Sequence, residues 1–150
     1  MTAYQTVVVG TDGSDSSYLA VDRAARIAAD ADATLVIACA YHPARQEDVT
    51  RAQDELGPDV AYQVVGSSPA EDSVRTAAER AKKQGATKID TVVVDGEPVP
   101  TLTRIVKERT ADLLVVGNRG LNSLAGRLLG SVPSEAARKS GVDVLIVHTT

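Results

Sequence analysis

Gly117-Asn118-Arg119-Gly120, nine further residues, and then Gly130-Ser131-Val132-Pro133 form the stretch of this 150-residue chain best suited to chemistry. It follows the apolar run Leu113-Leu114-Val115-Val116 and leads into a helix that opens with a hydroxyl. Glycines let a ligand approach the main chain closely. The free N–H groups and positive dipole end of a helix N-terminus then hold an anion without a lysine. A phosphate fits that description. Glycines also punctuate ordinary strand-to-helix turns, but the spacing here is neither a Walker pattern nor GxGxxG.

A second chemical group lies near the other end of the chain. Thr6-Val7-Val8-Val9-Gly10 reads as a strand buried on both faces, and Thr11-Asp12-Gly13-Ser14 follows it. Asp12 admits two readings. It satisfies the amides of its own turn, or it accepts hydrogen bonds from a ribose hydroxyl or binds a metal. Arg119 and Arg127 each either clamp a phosphate or point to solvent. Leu121, Leu124, Leu128 and Leu129 are expected to pack the loop onto the sheet. Cys39 lies within an apolar run and is expected in the core, while His42 and His148 are read as incidental.

The elements that position these groups alternate. Ser14 or Asp15 caps a helix with apolar positions Leu19, Ala20, Ala24, Ile27 and Ala28. Leu35 to Ala40 is a strand closed by Tyr41-His42-Pro43. The segment Ala44 to Val65 reads poorly, with a short helix over Gln46 to Leu56 and a short strand over Ala61 to Val65 as its best assignments. Ser68-Pro69-Ala70-Glu71 is a capping box with proline at the first helical position; Val74, Ala77, Ala78 and Ala81 face inward and Gly85 ends the helix. Ile89 to Val94 is a strand. A helix carrying Leu102, Ile105 and Val106 follows Pro98, and the strand Leu113 to Val116 comes next. A helix from Gly130 to about Lys139 buries Ala136 and Ala137 before Gly141, and Val142 to Val147 is the last strand.

This alternation predicts an α/β fold of the Rossmann-like or flavodoxin-like kind, a three-layer, doubly wound sheet of five parallel strands with right-handed crossovers, in one domain spanning 1–150. If the strand order is 3-2-1-4-5, strands one and four are neighbours. Asp12 and the glycine loop then face one crevice at the switch point.

Composition narrows the function. A chain of this length buries roughly two-thirds of its unfolded surface. With no Trp or Phe, the core is aliphatic. The net charge of −4, with acids and bases interspersed, argues against nucleic acid. No apolar run reaches a membrane span, the N-terminus does not look like a leader, and a single cysteine suits a reducing compartment, so a cytoplasmic location is expected. A flavin is disfavoured because aromatic side chains usually sandwich its rings. Hydrolysis needs a base, a positioned water and charge stabilisation, and only Asp12 stands near the expected site, so no catalytic residue and no metal ligand is assigned.

The chain as a whole resembles the universal stress protein family. Val7-Val8-Val9-Gly10-Thr11-Asp12-Gly13-Ser14 resembles the family's opening strand and aspartate. Gly117 to Gly120 through Gly130 to Pro133 matches its nucleotide-binding pattern G-x2-G-x9-G-(S/T), and Val144 to Val147 fits its closing strand. The resemblance implies the order 3-2-1-4-5, an adenine nucleotide (cyclic AMP, AMP or ATP, with Mg only alongside ATP), and a homodimer through Val142 to Val147. It implies ligand contacts from Gly10, Thr11, Asp12 at the ribose, the main chain of Ala40 at the adenine, Val116, Gly117, Asn118, Arg119 and Gly120 beneath ribose and phosphates, and Gly130, Ser131, Val132 and Pro133 around phosphate. Some actinobacterial relatives favour cyclic AMP. Pro133 departs from the Ser or Thr of many members and removes one hydroxyl and one N–H, which disfavours a triphosphate. The expected function is regulatory nucleotide binding in a stress response. The competing readings are a dimeric scaffold without nucleotide and a slow ATP hydrolase.

Overall fold

The computed structural model describes residues 2–41, 69–119 and 131–149. The segments expected between Ala44 and Val65, and the leucines between 120 and 130, lie outside those residues. So do His42, the Ser68 cap and Arg127.

Five strands form one parallel sheet: β1 (Thr6–Gly10), β2 (Thr34–Tyr41), β3 (Lys88–Asp95), β4 (Leu113–Gly117) and β5 (Asp143–Val147). Their order is β3-β2-β1-β4-β5, the order implied by the resemblance. The described helices are α1 (Asp15–Ala31), α2 (Pro69–Lys83), α3 (Pro98–Glu108) and α4 (Ser131–Lys139). Strand and helix bounds fall within about a residue or two of the expected ones, the usual ambiguity of element ends. None of the described helices is long and apolar enough to cross a membrane.

Because side chains alternate along a strand, each strand feeds two cores. Val7, Val9, Leu35, Ile37, Cys39, Leu113 and Val115 pack under α1 and α2. Val8, Val36, Ala38, Leu114 and Val116 pack under α3 and α4. Cys39 is therefore a core residue, 2% exposed. The central strands are fully buried, as their unbroken Val/Leu/Ile runs require, whereas the edges β3 and β5 are only half covered.

Two expected inward positions point outward. Leu19 is 46% exposed, and the buried stripe of α1 is Ser17, Ala20, Val21, Ala24, Ala25 and Ala28. Small residues at the 3.6-residue spacing fill that face, since the helix lies close on the middle of the sheet and beside α2. Ala137 is likewise exposed, and its expected place is taken by Ser140, four residues beyond Ala136. The α1–α2 contact is clamped at its rim. Arg80 donates to both Asp22 oxygens, at 3.1 and 2.6 Å, and lies 5.3 Å from the centre of the Tyr18 ring.

Candidate functional site

At the carboxyl edge of the sheet, β1 and β4 part company. Their ladder runs through Val7↔Leu113, Val8↔Leu114 and Val9↔Val115 and stops. Each strand continues with its outer neighbour, β1 to Gly10↔Ala38 and β4 to Gly117↔Val147. The winding direction also reverses here, because α1 and α2 cover one face and α3 and α4 the other. A parallel sheet opens for a ligand at such a point.

On the β1 side the turn is held by a chain of hydrogen bonds. Thr11 is fully buried, and its N–H donates to the Ala38 carbonyl at 2.9 Å. Its hydroxyl accepts from the Gly13 N–H at 3.1 Å and lies 2.7 Å from the Ser17 hydroxyl. Ser17 in turn donates to the Ser14 carbonyl at 2.9 Å, so the Thr11 hydroxyl donates to Ser17. Each bond polarises the next. Ser14 is the N-cap of α1, accepting from the Ser17 N–H at 3.2 Å. Thr11 can thus offer a ligand little beyond its carbonyl. Ser17 is a residue of this turn that the sequence reading missed; its only signal was a small hydroxyl one helical turn before Ala20 and Val21.

Asp12 is partly buried just past β1, with Oδ1 accepting the Ser14 N–H at 2.9 Å. The turn reading of this residue is therefore borne out. One oxygen closes its own turn, and the other accepts no hydrogen bond among the described residues. Gly13 has φ +83°, and a Cβ there would stand 2.3 Å from the Ser73 hydroxyl, so glycine is required where α2 crowds the turn. Ala40 sits two residues beyond Ala38 on β2, half-buried and paired with Val94 of β3.

On the β4 side, Val116 and Gly117 are buried strand residues. Asn118 leaves the strand with its N–H bound to the Val147 carbonyl at 2.9 Å, and its side-chain oxygen accepts both the N–H and the hydroxyl of Thr149 at 2.7 and 2.8 Å. Arg119 is exposed. Gly120 and Gly130 lie outside the described residues, as does the side chain of Ser131, which starts α4. Val132 and Pro133 are buried in the first turn of that helix. Asp12 and Asn118 thus follow adjacent strands at one sheet edge, as the strand order requires.

Chemically, this edge offers one carboxylate oxygen, main-chain groups and an exposed guanidinium. Among the described residues, no group of three or more His, Cys, Asp or Glu is arranged to hold a metal ion. Such an inventory suits recognition of a polar ligand.

Comparison with known proteins bears on this arrangement. The model of the universal stress protein family matches residues 3–148. Universal stress protein Rv1636 of Mycobacterium tuberculosis is 55% identical over 150 residues, covering 100% of both chains. Universal stress protein YxiE of Bacillus subtilis is 30% identical over 157 residues, covering 97% of this chain and 99% of its own. A crystal structure of a universal stress protein in complex with cAMP superposes with a TM-score of 0.76 at 50% identity, over 99% of this chain and 100% of that one.

Proposed function

Since the chain belongs to the universal stress protein family, we propose that it is a regulatory adenine-nucleotide binder of the stress response, with cyclic AMP preferred over ATP. The ligand lies where β1 and β4 separate. Asp12 Oδ2 accepts from the ribose, the Ala40 main chain meets the adenine, and the start of α4 receives the phosphate. The observation that carries this reading is the early end of the β1–β4 ladder at Val9 and Val115, with Asp12 just beyond it. A relative of 50% identity crystallised with cAMP supports the choice of ligand. Pro133 supports it independently. It occupies the first turn of α4, where N–H groups are free to meet a ligand, and contributes none.

Binding without turnover is the reading we favour, since Asp12, with one oxygen tied into a turn, is poorly placed as a general base. The protein acts as a homodimer through β5, whose outer edge has no neighbouring strand among the described residues.

Heating the purified protein and weighing the released small molecules identifies a resident nucleotide, and calorimetry ranks cyclic AMP, AMP and ATP. Cyclic AMP is expected to bind about tenfold more tightly than ATP, the worth of one donor to a charged group. ATP binding tenfold more tightly than cyclic AMP would reject the preference, and no binding at all would favour the scaffold reading. Gly117→Ala completes the test. Among the described residues its Cβ would meet only Thr149, at 3.5 and 3.8 Å, ordinary contact distances that the fold tolerates. Loss of binding by about tenfold in a folded variant locates the ligand against this strand end.

A further inference from the structure

The hydrogen bonds at Asn118 are those of a parallel ladder with one substitution. In such a ladder a residue donates its N–H to one partner carbonyl and accepts, through its own carbonyl, the N–H two residues further along the partner strand. Asn118 makes the first bond normally, to the Val147 carbonyl, in register with Gly117↔Val147. The second, from the Thr149 N–H, goes to the Asn118 side-chain oxygen at 2.7 Å instead. The side chain stands in for the backbone carbonyl. The sheet therefore stays hydrogen-bonded as far as Thr149 by way of the Asn118 side chain. The Thr149 hydroxyl donates to the same oxygen at 2.8 Å, and its Cγ2 would lie 3.5 Å from a Cβ at Gly117, so the residue sits against the last residue of β4.

We propose that Asn118 and Thr149 form a latch that fixes the direction in which the chain leaves β4 and so positions that strand end for the nucleotide. Thr149 is then a positioning residue for binding although it touches no ligand. The inference rests on the nucleotide-binding reading above. It also assigns a task to residues that follow β5, which the spacing of the glycine motif does not disclose. The geometry separates the two donors of Thr149, and that makes the latch testable in steps. Thr149→Ser keeps both donors, Thr149→Val keeps only the N–H, and Thr149→Pro keeps neither.

Calorimetric titration with cyclic AMP and thermal melts of the ligand-free protein are run on wild type and all three variants. The expected result is a graded loss. Thr149→Ser binds like wild type, Thr149→Val about threefold more weakly and Thr149→Pro about tenfold or more, with ligand-free melting temperatures within about 2 °C of one another. Equal affinity in all four proteins overturns the proposal. So does an affinity loss that merely follows a fall in melting temperature, since a purely structural bond would behave that way. If wild type itself binds no nucleotide while remaining folded, the functional reading fails and the latch falls with it. Wild-type binding with indifferent variants sinks the latch alone.

Discussion

A methyl group at position 13 has nowhere to go. The φ of +83° disfavours any L side chain, and the added carbon would stand 2.3 Å from Ser73 Oγ and 3.3 Å from its Cβ. Gly13→Ala is therefore expected to cost about 1 to 3 kcal/mol, combining backbone strain with displacement of Ser73. Urea unfolding measures the loss, and Ser73→Ala in the same background should recover part of it; no recovery would place the whole cost in the backbone. At this scale the sequence was half legible. Ser14 as a cap and Asp12 as a turn residue follow from residue type alone, because their side chains bond within a few positions. Ser73 and Thr149 were not legible. Their roles depend on partners 60 and 31 residues away, Gly13 and Asn118, which only the fold brings together.

Three helices end in the same way. In each, an N–H two residues past the cap bonds back to the carbonyl five positions earlier, from Ala33 to Ala28, Ala86 to Ala81 and Ala111 to Val106. The residue before it takes a left-handed backbone: Asp32 at φ 52°, Gly85 at φ 101° and Thr110 at φ 52°. These are Schellman ends, and only one carries the expected glycine. That explains why Gly85 was readable as a stop while the ends of α1 and α3 were not. The same hydrogen bonds close the ends at Asp32, a residue type that tolerates the left-handed region, and at Thr110, which does not favour it. The β-branched Thr110 is the more strained of the two. Thr110→Gly should stabilise the protein by about 1 kcal/mol, because relief of left-handed strain outweighs the added entropy of the unfolded chain. Calorimetric melting would show a rise of about 2 to 4 °C, whereas a fall would mean that the Thr110 side chain makes a contact worth more than the strain. The inward face of α3 was legible because Leu102, Ile105 and Val106 recur at helical spacing, although Thr101 is buried beside them. Leu19 misled because a large apolar residue outranks alanine in any periodicity argument, whereas the tight seat of α1 admits only small side chains.

Over the whole molecule, the alternation of strands and helices made the layer architecture readable. The strand order itself came from resemblance, since burial patterns separate central strands from edges without ordering them. Long-range ties then close the sheet. Near the amino ends of the strands, Tyr4 donates to Asp143 at 2.9 Å, joining the lead into β1 to the far strand β5, and Asp112 accepts the N–H groups of Gln5 and Thr6. The bond to Asp143, then partial desolvation, then the charges of Asp143 and Asp112 hold the Tyr4 phenol above the ordinary tyrosine range. A raised pKa means that the protonated form is favoured in the folded state. The contribution is therefore complete below the unfolded pKa of about 10 and is lost as pH climbs through the folded value. Tyr4→Phe should be less stable than wild type at neutral pH, and the gap should narrow above about pH 10 in unfolding measured across the alkaline range. A gap independent of pH would assign the effect to packing of the ring.

The exposed side of β5 carries the last consequence. Among the described residues β5 is an edge strand whose outer N–H and C=O groups have no neighbouring strand, and Ile146 on it is 44% exposed. Monomeric proteins usually blunt such an edge with charge, proline or a bulge, yet beyond Asp143 at its start, which is bound to Tyr4, the run Val144-Leu145-Ile146-Val147 has none of these devices. Pairing with the same strand of a second copy satisfies the backbone and covers the isoleucine in one step. A charge placed at that position leaves the monomer intact, since the side chain is already nearly half in water, but opposes its own image across a two-fold axis. Sedimentation of wild type should give twice the 15.7 kDa of one chain, and Ile146→Lys should give the single mass while keeping the wild-type melting profile at high dilution. An Ile146→Lys protein that remains dimeric would move the interface elsewhere on the surface, and a monomeric wild type would mean that the edge is left open.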